Sequence, residues 1–238
     1  MYREKLKQSL EVEQASIDQD EIQKFALSIV PIKTLTDKVL LDVGCGAGSL
    51  LNITKDTCGE QVGIEPCQPY RKALIAKGYN VFQELIGATK FFESSVDYAF
   101  SIQVIEHVEN PRNFLEEIKQ FLKPGGSVLI STPNRDEILM NILHKEFSSF
   151  FYRTQHRWYF NEESLINCAK LSGFEVELVS FIHRQPMSNA LYWLRDKAPK
   201  GSTKMDGISL EANNIWRSYL EKTKQSCTIF LKLKLIDK

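Results

Sequence analysis

The sequence predicts a doubly wound α/β domain on a mostly parallel sheet, and three observations carry that reading. The first is the run Val39-Leu40-Leu41-Asp42-Val43, which has the apolar composition of a strand buried on both faces. The second is a glycine turn directly after it. Gly44, Gly46 and Gly48 alternate with Cys45 and Ala47, and Ser49 to Ile53 then opens a helical pattern. A strand, a glycine turn and a helix N-terminus in that order build a nucleotide-type site, where backbone lacking Cβ comes close to a ligand. The third is an acid at the tip of the next strand, Gln61-Val62-Gly63-Ile64-Glu65, with Glu65 lying 21 residues beyond Gly44. An acid at that spacing reaches ribose hydroxyls in dinucleotide folds.

The chain of 238 residues is the size of one such domain, residues 1–238, with elaborations and ample core. Hydrophobic residues at 43% and charged residues at 25% are ordinary for a globular protein. Thirty basic residues balance thirty acidic ones, so overall charge offers no electrostatic reason to expect a nucleic-acid partner. Five cysteines, Cys45, Cys58, Cys67, Cys168 and Cys227, lack Cys-x-x-Cys spacing, which points to reduced thiols in a cytoplasmic setting and to no resident metal. Neither a signal-peptide core nor a run near the ~18 apolar residues of a membrane span is present.

In order, residues 1–30 form a leading helix, with Leu6, Leu10, Ile17, Phe25 and Ile29 on its packing faces and Pro31 ending it. After Glu65, residues 66–77 make a short helix closed by Gly78, and residues 79–83 a third strand. Residues 84–95 are expected to be an irregular connection. Val96 to Ile102 form the fourth strand, and Gln103 to Val108 lie at its carboxyl end, where open α/β sheets bind ligands. Asn110-Pro111 breaks the chain before an amphipathic helix over 112–122, with Phe114, Leu115, Ile118, Phe121 and Leu122 inward. A Lys123-Pro124-Gly125-Gly126 turn leads to a fifth strand from Ser127 to Ser131. Residues 135–160 hold the densest aromatic cluster, with His144 and His156 among them, where a pocket lid would fall. A helix over 162–171, a strand over 175–179, an insertion over 186–222 and a last alternating run from Cys227 to Leu235, read as an edge strand, complete the chain.

The stretch Leu41-Asp42-Val43-Gly44-Cys45-Gly46-Ala47-Gly48 closely resembles the first motif of class I S-adenosylmethionine-dependent methyltransferases. The stretch Val-Ile-Glu-His-Val-Glu-Asn-Pro at 104–111 and the Lys-Pro-Gly-Gly stretch through Ser-Thr-Pro-Asn at 123–134 resemble later motifs of that family. The resemblance covers residues 39–134. More loosely, Thr154 to Leu165 and Met187 to Leu194 resemble the ubiquinone-biosynthesis-type branch of small-molecule methyltransferases. The resemblance implies a Rossmann-like, seven-stranded sheet with an antiparallel last strand, capped by helical and aromatic elements from 135–160 and 186–222, the second being the usual place of a hairpin. It also offers the leading helix a second role, as a lid over the cofactor.

The implied cofactor is S-adenosyl-L-methionine, and the implied partner a small-molecule acceptor methylated at O, N or C, such as a sugar or another biosynthetic intermediate. Asp42 would position the cofactor's ammonium, and the loop of Gly44, Cys45, Gly46 and Gly48 would approach its amino-acid end and sugar. Glu65 would accept the vicinal ribose hydroxyls, with Pro66 beside it, while Ile102 and Gln103 would flank the methyl. His107 is the first candidate base and His156 the second, because an imidazole titrates near neutrality. A histidine packed at a helix start is the plainer reading of His107, and the aromatics read as core ahead of a substrate cage. His144 and His183 have no supporting context. Orientation accounts for ~7 kcal/mol or more of such a barrier and a base for ~10²–10⁴-fold in rate, so a shaped cofactor pocket matters more than a strong base.

Two other readings stay open. An NAD(P)-dependent oxidoreductase would share the sheet, but Ser49 stands where a dinucleotide fingerprint wants Gly or Ala. A catalytically degenerate cofactor-binding scaffold is kept in play by the lack of an unambiguous base. Nucleic-acid methylation is disfavoured, because Gln-Val-Ile-Glu at 103–106 replaces the Asn-Pro-Pro-Tyr-like tetrad of base-modifying relatives. The expected assembly is a monomer or homodimer.

Overall fold

Seven strands form one sheet in the computed structural model, which describes residues 12–236. They are β1 (Val39–Val43), β2 (Glu60–Ile64), β3 (Asn80–Phe82), β4 (Val96–Ile102), β5 (Leu122–Pro133), β6 (Phe174–Ile182) and β7 (Thr228–Leu235). The order across the sheet is β3-β2-β1-β4-β5-β7-β6. The pairings among β1 to β5 are parallel, and β7 runs antiparallel to both β5 and β6. Chain direction across the sheet reverses between β1 and β4, and the crevice at their carboxyl ends is where such sheets bind ligands.

Ten helices accompany the sheet among the described residues: α1 (Val12–Ile29), α2 (Ser49–Thr54), α3 (Gln68–Ala76), α4 (Leu85–Phe92), α5 (Pro111–Lys119), α6 (Ile138–Ile142), α7 (His144–Phe151), α8 (Glu162–Leu171), α9 (Met187–Asp196) and α10 (Leu210–Lys222). None is long and apolar enough to cross a membrane. Strand alternation sorts the interior into two layers. Leu41 and Val43 enter one core with Leu115, Ile118 and Leu165, while Leu40 enters the other with Ile22, Ala26 and Val30 of the leading segment. The start of α5 obeys its sequence signal: the Asn110 side chain accepts from the Arg112 and Asn113 N–H groups, with Pro111 in the first turn. Phe114, Leu115, Ile118, Phe121 and Leu122 are all buried, the last two beyond the helix end.

The structure corrects several sequence expectations. Residues 84–95 are not an irregular connection, since α4 occupies most of them. Leu85, Ala88 and Phe92 recur at helical spacing and are buried, and their packing outweighs the cost of about 1 kcal/mol that Gly87 brings to the helix. The last run is not an edge strand. β7 is inserted between β5 and β6, which buries Ile229, Phe230, Leu231 and Leu233; the edge is β6, where Glu175 and Glu177 stay exposed. The 186–222 insertion is two helices, α9 and α10, and no hairpin. β5 starts at Leu122, ahead of Ser127. In α1, Ile17 is 62% exposed, and the core is entered by Ile22 and Ala26 instead, whereas Phe25 and Ile29 pack against it as expected. Leu6 and Leu10 lie outside the described residues.

A third, small core forms the cap. Leu139, Met140, Leu143, Phe147 and Phe151 from α6 and α7 pack on Ala190 and Trp193 from α9. This cap rests over the carboxyl side of β5, so the two stretches expected to form a lid meet as one unit.

Candidate active site

At the carboxyl end of β1 the chain turns through Gly44, Gly46 and Gly48, whose φ angles are 78°, 56° and 84°. These left-handed values explain why glycine recurs in the turn. The loop is pinned to β2, because the Gly44 and Cys45 N–H groups both donate to the Ile64 carbonyl, at 2.8 and 3.0 Å. All three positions are also crowded: a Cβ would run into Val104 at Gly44, into the Gln19 amide of α1 at Gly46 and into Leu74 at Gly48. Glu65, at the tip of β2, accepts from the Gly46 N–H through Oε2 and from the Cys67 N–H through Oε1, each at 2.7 Å. The acid picked out by spacing thus touches the glycine loop directly.

The leading helix lies over this loop. The Ala47 N–H donates to Gln19 Oε1 at 3.2 Å, and the Ser49 hydroxyl to Asp20 Oδ1 at 2.5 Å. The carboxyl half of α1 meanwhile packs into the core through Ile22 and Ala26, so one helix serves as both packing and cover. Asp42 sits beneath the loop with 1% exposure, and its Oδ2 has no hydrogen-bond partner among the described residues. Burial, helped by the charge of Glu65, raises its pKa to about 8. An orphaned buried carboxyl under a glycine loop is the group an arriving cation would complete, and the donor set fits S-adenosylmethionine.

The other expected cofactor residues divide by what they expose. The Cys45 side chain is buried at 2% and packs beside Gly63, leaving backbone as that residue's contribution to the loop surface. Pro66 is exposed, and its carbonyl accepts from Arg71 Nη1 at 3.1 Å. Ile102 ends β4 at 8% exposure. Gln103 comes next in a left-handed conformation, φ 59°, held by Ser131: its N–H donates to the Ser131 carbonyl at 3.1 Å and its Nε2 to the hydroxyl at 3.2 Å. That turn aims the next residues into a cavity of about 320 Å³, within the size range of small-molecule sites.

Gln103, Glu106, His107 and His156 line one part of this cavity. The rings of His107 and His156 meet edge to face with centroids 4.7 Å apart, so the two candidate bases converge from positions 49 residues apart. His107 Nδ1 lies 3.0 Å from the Gln155 carbonyl; as donor there, it keeps its ring lone pair on Nε2, 3.9 Å from Glu106 Oε1. Glu106 is 1% exposed, and burial raises its pKa to about 8. His156 is pushed the other way, to about 4, by burial and then by His107 and Arg153. Donor atoms of Glu106, His107 and His156 all lie within 4.8 Å of one another, a grouping that local spacing does not signal.

Phe147, Phe150, Phe151 and Trp193 form an apolar wall, with Phe147 and Trp193 in a T-shaped pair at 4.9 Å. Phe147, Phe151 and Trp193 are both core of the cap and lining of the cavity, while Phe150 is exposed. The lining also includes the polar residues Glu137, His183, Arg184 and Asn189. Sequence reasoning misses this group. His183 has no local context, and its neighbours are set by β6 and β7 pairing; the exposed His144 contributes nothing to the cavity.

Comparison with known proteins agrees with this geometry. Residues 13–179 match the family described as methyltransferase domain. The chain is 26% identical over 191 residues to the mitochondrial ubiquinone biosynthesis O-methyltransferase of Rattus norvegicus, covering 73% of this chain and 55% of that protein. It is 27% identical over 167 residues to the ubiquinone biosynthesis O-methyltransferase of Aeromonas salmonicida, covering 65% and 70%. The chain spans about half the length of the mammalian relatives it matches. Among solved structures, a SAM-dependent methyltransferase from Archaeoglobus fulgidus superposes with a TM-score of 0.61 at 19% identity, covering 98% of this chain and 97% of that one. One from Aquifex aeolicus gives 0.55 at 15% identity, covering 90% and 89%. With a family match over more than half its length and the sheet order to go with it, this chain belongs to the class I S-adenosylmethionine-dependent methyltransferase domain family.

Proposed function

We propose that this protein transfers a methyl group from S-adenosyl-L-methionine to a small-molecule acceptor seated in the cavity under the cap. The observation that carries this reading is continuity: one short segment, Ile102 to His107, runs from the cofactor crevice into the lining of the cavity. When bound, the cofactor supplies an activated methyl on a sulfonium and a neutral thioether leaving group. Asp42 would hold the ammonium and Glu65 the ribose hydroxyls, and the glycine loop would let backbone approach both. Helix α1 excludes water from above through Gln19 and Asp20. The aromatic wall orients the acceptor, which brings the largest share of the rate. His107 takes the acceptor's proton at Nε2, with its ring fixed by the Gln155 carbonyl. His156, held neutral by burial, serves as neighbour and positioning group and is the weaker base of the two.

Transfer of labelled methyl from the cofactor into a small-molecule fraction, with protein and nucleic acid removed, tests the reading; label appearing only in macromolecules overturns it. A second reading comes from the grouping of Glu106, His107 and His156, which gives those donors to a divalent cation that would hold an acceptor oxygen. Transfer that survives exhaustive chelation favours the base. Loss of transfer on chelation, restored by Mg²⁺ or Mn²⁺, favours the cation.

A further inference from the structure

A second set of polar residues lining the cavity, apart from Glu106, His107 and His156, shares one chemical character. Arg184 lines it with a guanidinium that is always charged; its buried Nε has no partner, and it makes no ion pair among the described residues. His183 accepts from the Cys227 N–H through Nδ1 at 3.2 Å, which leaves the proton of the neutral ring on Nε2 as a donor. Burial, and after it Arg217, keeps that ring neutral by lowering its pKa to about 4. Asn189 spends its carbonyl oxygen on the Lys200 N–H at 3.4 Å and retains its amide N–H groups. Glu137 is 6% exposed; burial raises the pKa of its carboxyl well above the usual range, while the charge of nearby Arg184 pulls it down. Glu221, the other carboxylate nearby, accepts from the His183 N–H at 2.9 Å and does not line the cavity. Arg153, stacked over Phe150 at 4.9 Å, adds a second positive charge at the rim.

We propose that Arg184, His183 and Asn189 form an anion-recognition end of the acceptor cavity, so that the acceptor is an aromatic or apolar molecule carrying a carboxylate or phosphate. Arg184, His183 and Asn189 line one cavity and each carries donor groups, and an anionic oxygen group is the ligand that suits them together. Phe147, Phe151 and Trp193 line the same cavity as Arg184 and His107, so the body of the acceptor packs on them while its anionic group meets Arg184. This deepens the methyltransferase reading and rests on it.

The test loads the protein with S-adenosylhomocysteine and titrates it calorimetrically with benzoate, phenyl phosphate and benzamide. At least one anion is expected to bind ~10-fold or more tightly than benzamide, the margin of one charge-assisted hydrogen bond. Benzoate ahead of phenyl phosphate identifies a carboxylate, and the reverse order a phosphate. Arg184→Met removes the preference and leaves benzamide affinity within about twofold, while Arg184→Lys retains part of it. Equal binding of benzamide and both anions, binding by neither anion, or a preference that survives Arg184→Met overturns the proposal. If Arg184→Met does not fold, the three titrations of the unaltered protein still decide. Failure to bind S-adenosylhomocysteine would instead strike the methyltransferase reading, and the first titration reads that separately.

Discussion

The two halves of the site are built in opposite ways. The cofactor half is local and dominated by backbone: a short glycine loop, one acid on the adjoining strand, and a helix laid over them. Its polar atoms are mostly satisfied within the protein, with Glu65 bonded to two N–H groups, and Asp42 Oδ2 is the exception. The acceptor half is assembled from side chains that are distant in sequence, and several of its polar atoms have no partner among the described residues, at Glu106, His156 and Arg184. A satisfied, backbone-built site suits a ligand that does not vary, whereas a side-chain-lined cavity under a cap can be retuned without disturbing the sheet. Buried polar atoms lacking partners carry a stability cost that a ligand can relieve, so the acceptor half should respond more to its ligand.

That contrast can be broken most directly at Glu65. Glu65→Ala leaves the Gly46 and Cys67 N–H groups without their acceptor, and affinity for S-adenosylmethionine should fall ~10³-fold, the scale of two charge-assisted bonds. Benzoate binding in the cavity should change less than about twofold; calorimetry reads both, and a parallel loss in both would show that the halves are one unit. The converse is His107→Asn, expected to lower kcat ~10²-fold with cofactor affinity unchanged, measured by labelled-methyl transfer. An unchanged rate would remove His107 from the chemistry. Asp42→Asn should weaken S-adenosylmethionine ~10-fold at pH 8 and flatten the pH dependence of its binding. In the unaltered protein that affinity should rise as pH rises towards about 8, because only the ionised carboxylate attracts the cation.

The smallest effect is on stability. Asp42 binds its proton more tightly folded than unfolded, so the ligand-free protein loses stability as pH climbs from about 4 to about 8. His183 acts oppositely: its folded pKa near 4 lies below the ordinary 6.5, so its contribution is lost as pH falls through that interval. Above pH 6.5 the histidine contribution is already complete and the carboxyl trend remains. The thermal midpoint should therefore decline between pH 6.5 and 8, and Asp42→Asn should shallow the decline; a midpoint that rises over this range contradicts the assignment.

How much can be read from the sequence divides along the same line. The strand-loop-helix at 39–54 and the acid at 65 are legible because each residue's role is set by near neighbours and by the period of its own element. Helix α4 escapes because its glycine and serine neighbours mask a helical spacing of Leu85, Ala88 and Phe92. The place of β7 is misleading because Lys232 and Lys234 look like edge protection, while Lys232 is paired with Glu177 at 2.9 Å on the true edge strand. Glu137, His183 and Arg184 cannot be grouped beforehand, since their meeting depends on β5, β6 and β7 pairing between distant parts of the chain. The meeting of His107 and His156 is hidden for the same reason, although each is a candidate alone.

The placement of β7 has a consequence for how the molecule is made. Until residues 228–235 have left the ribosome, β5 presents a bare hydrogen-bonding rim and β6 has no neighbour to join. The strands that carry the glycine loop and Glu65 can pair while synthesis is under way. The part of the cavity at His183 and Cys227 closes only when β7 slides into the gap.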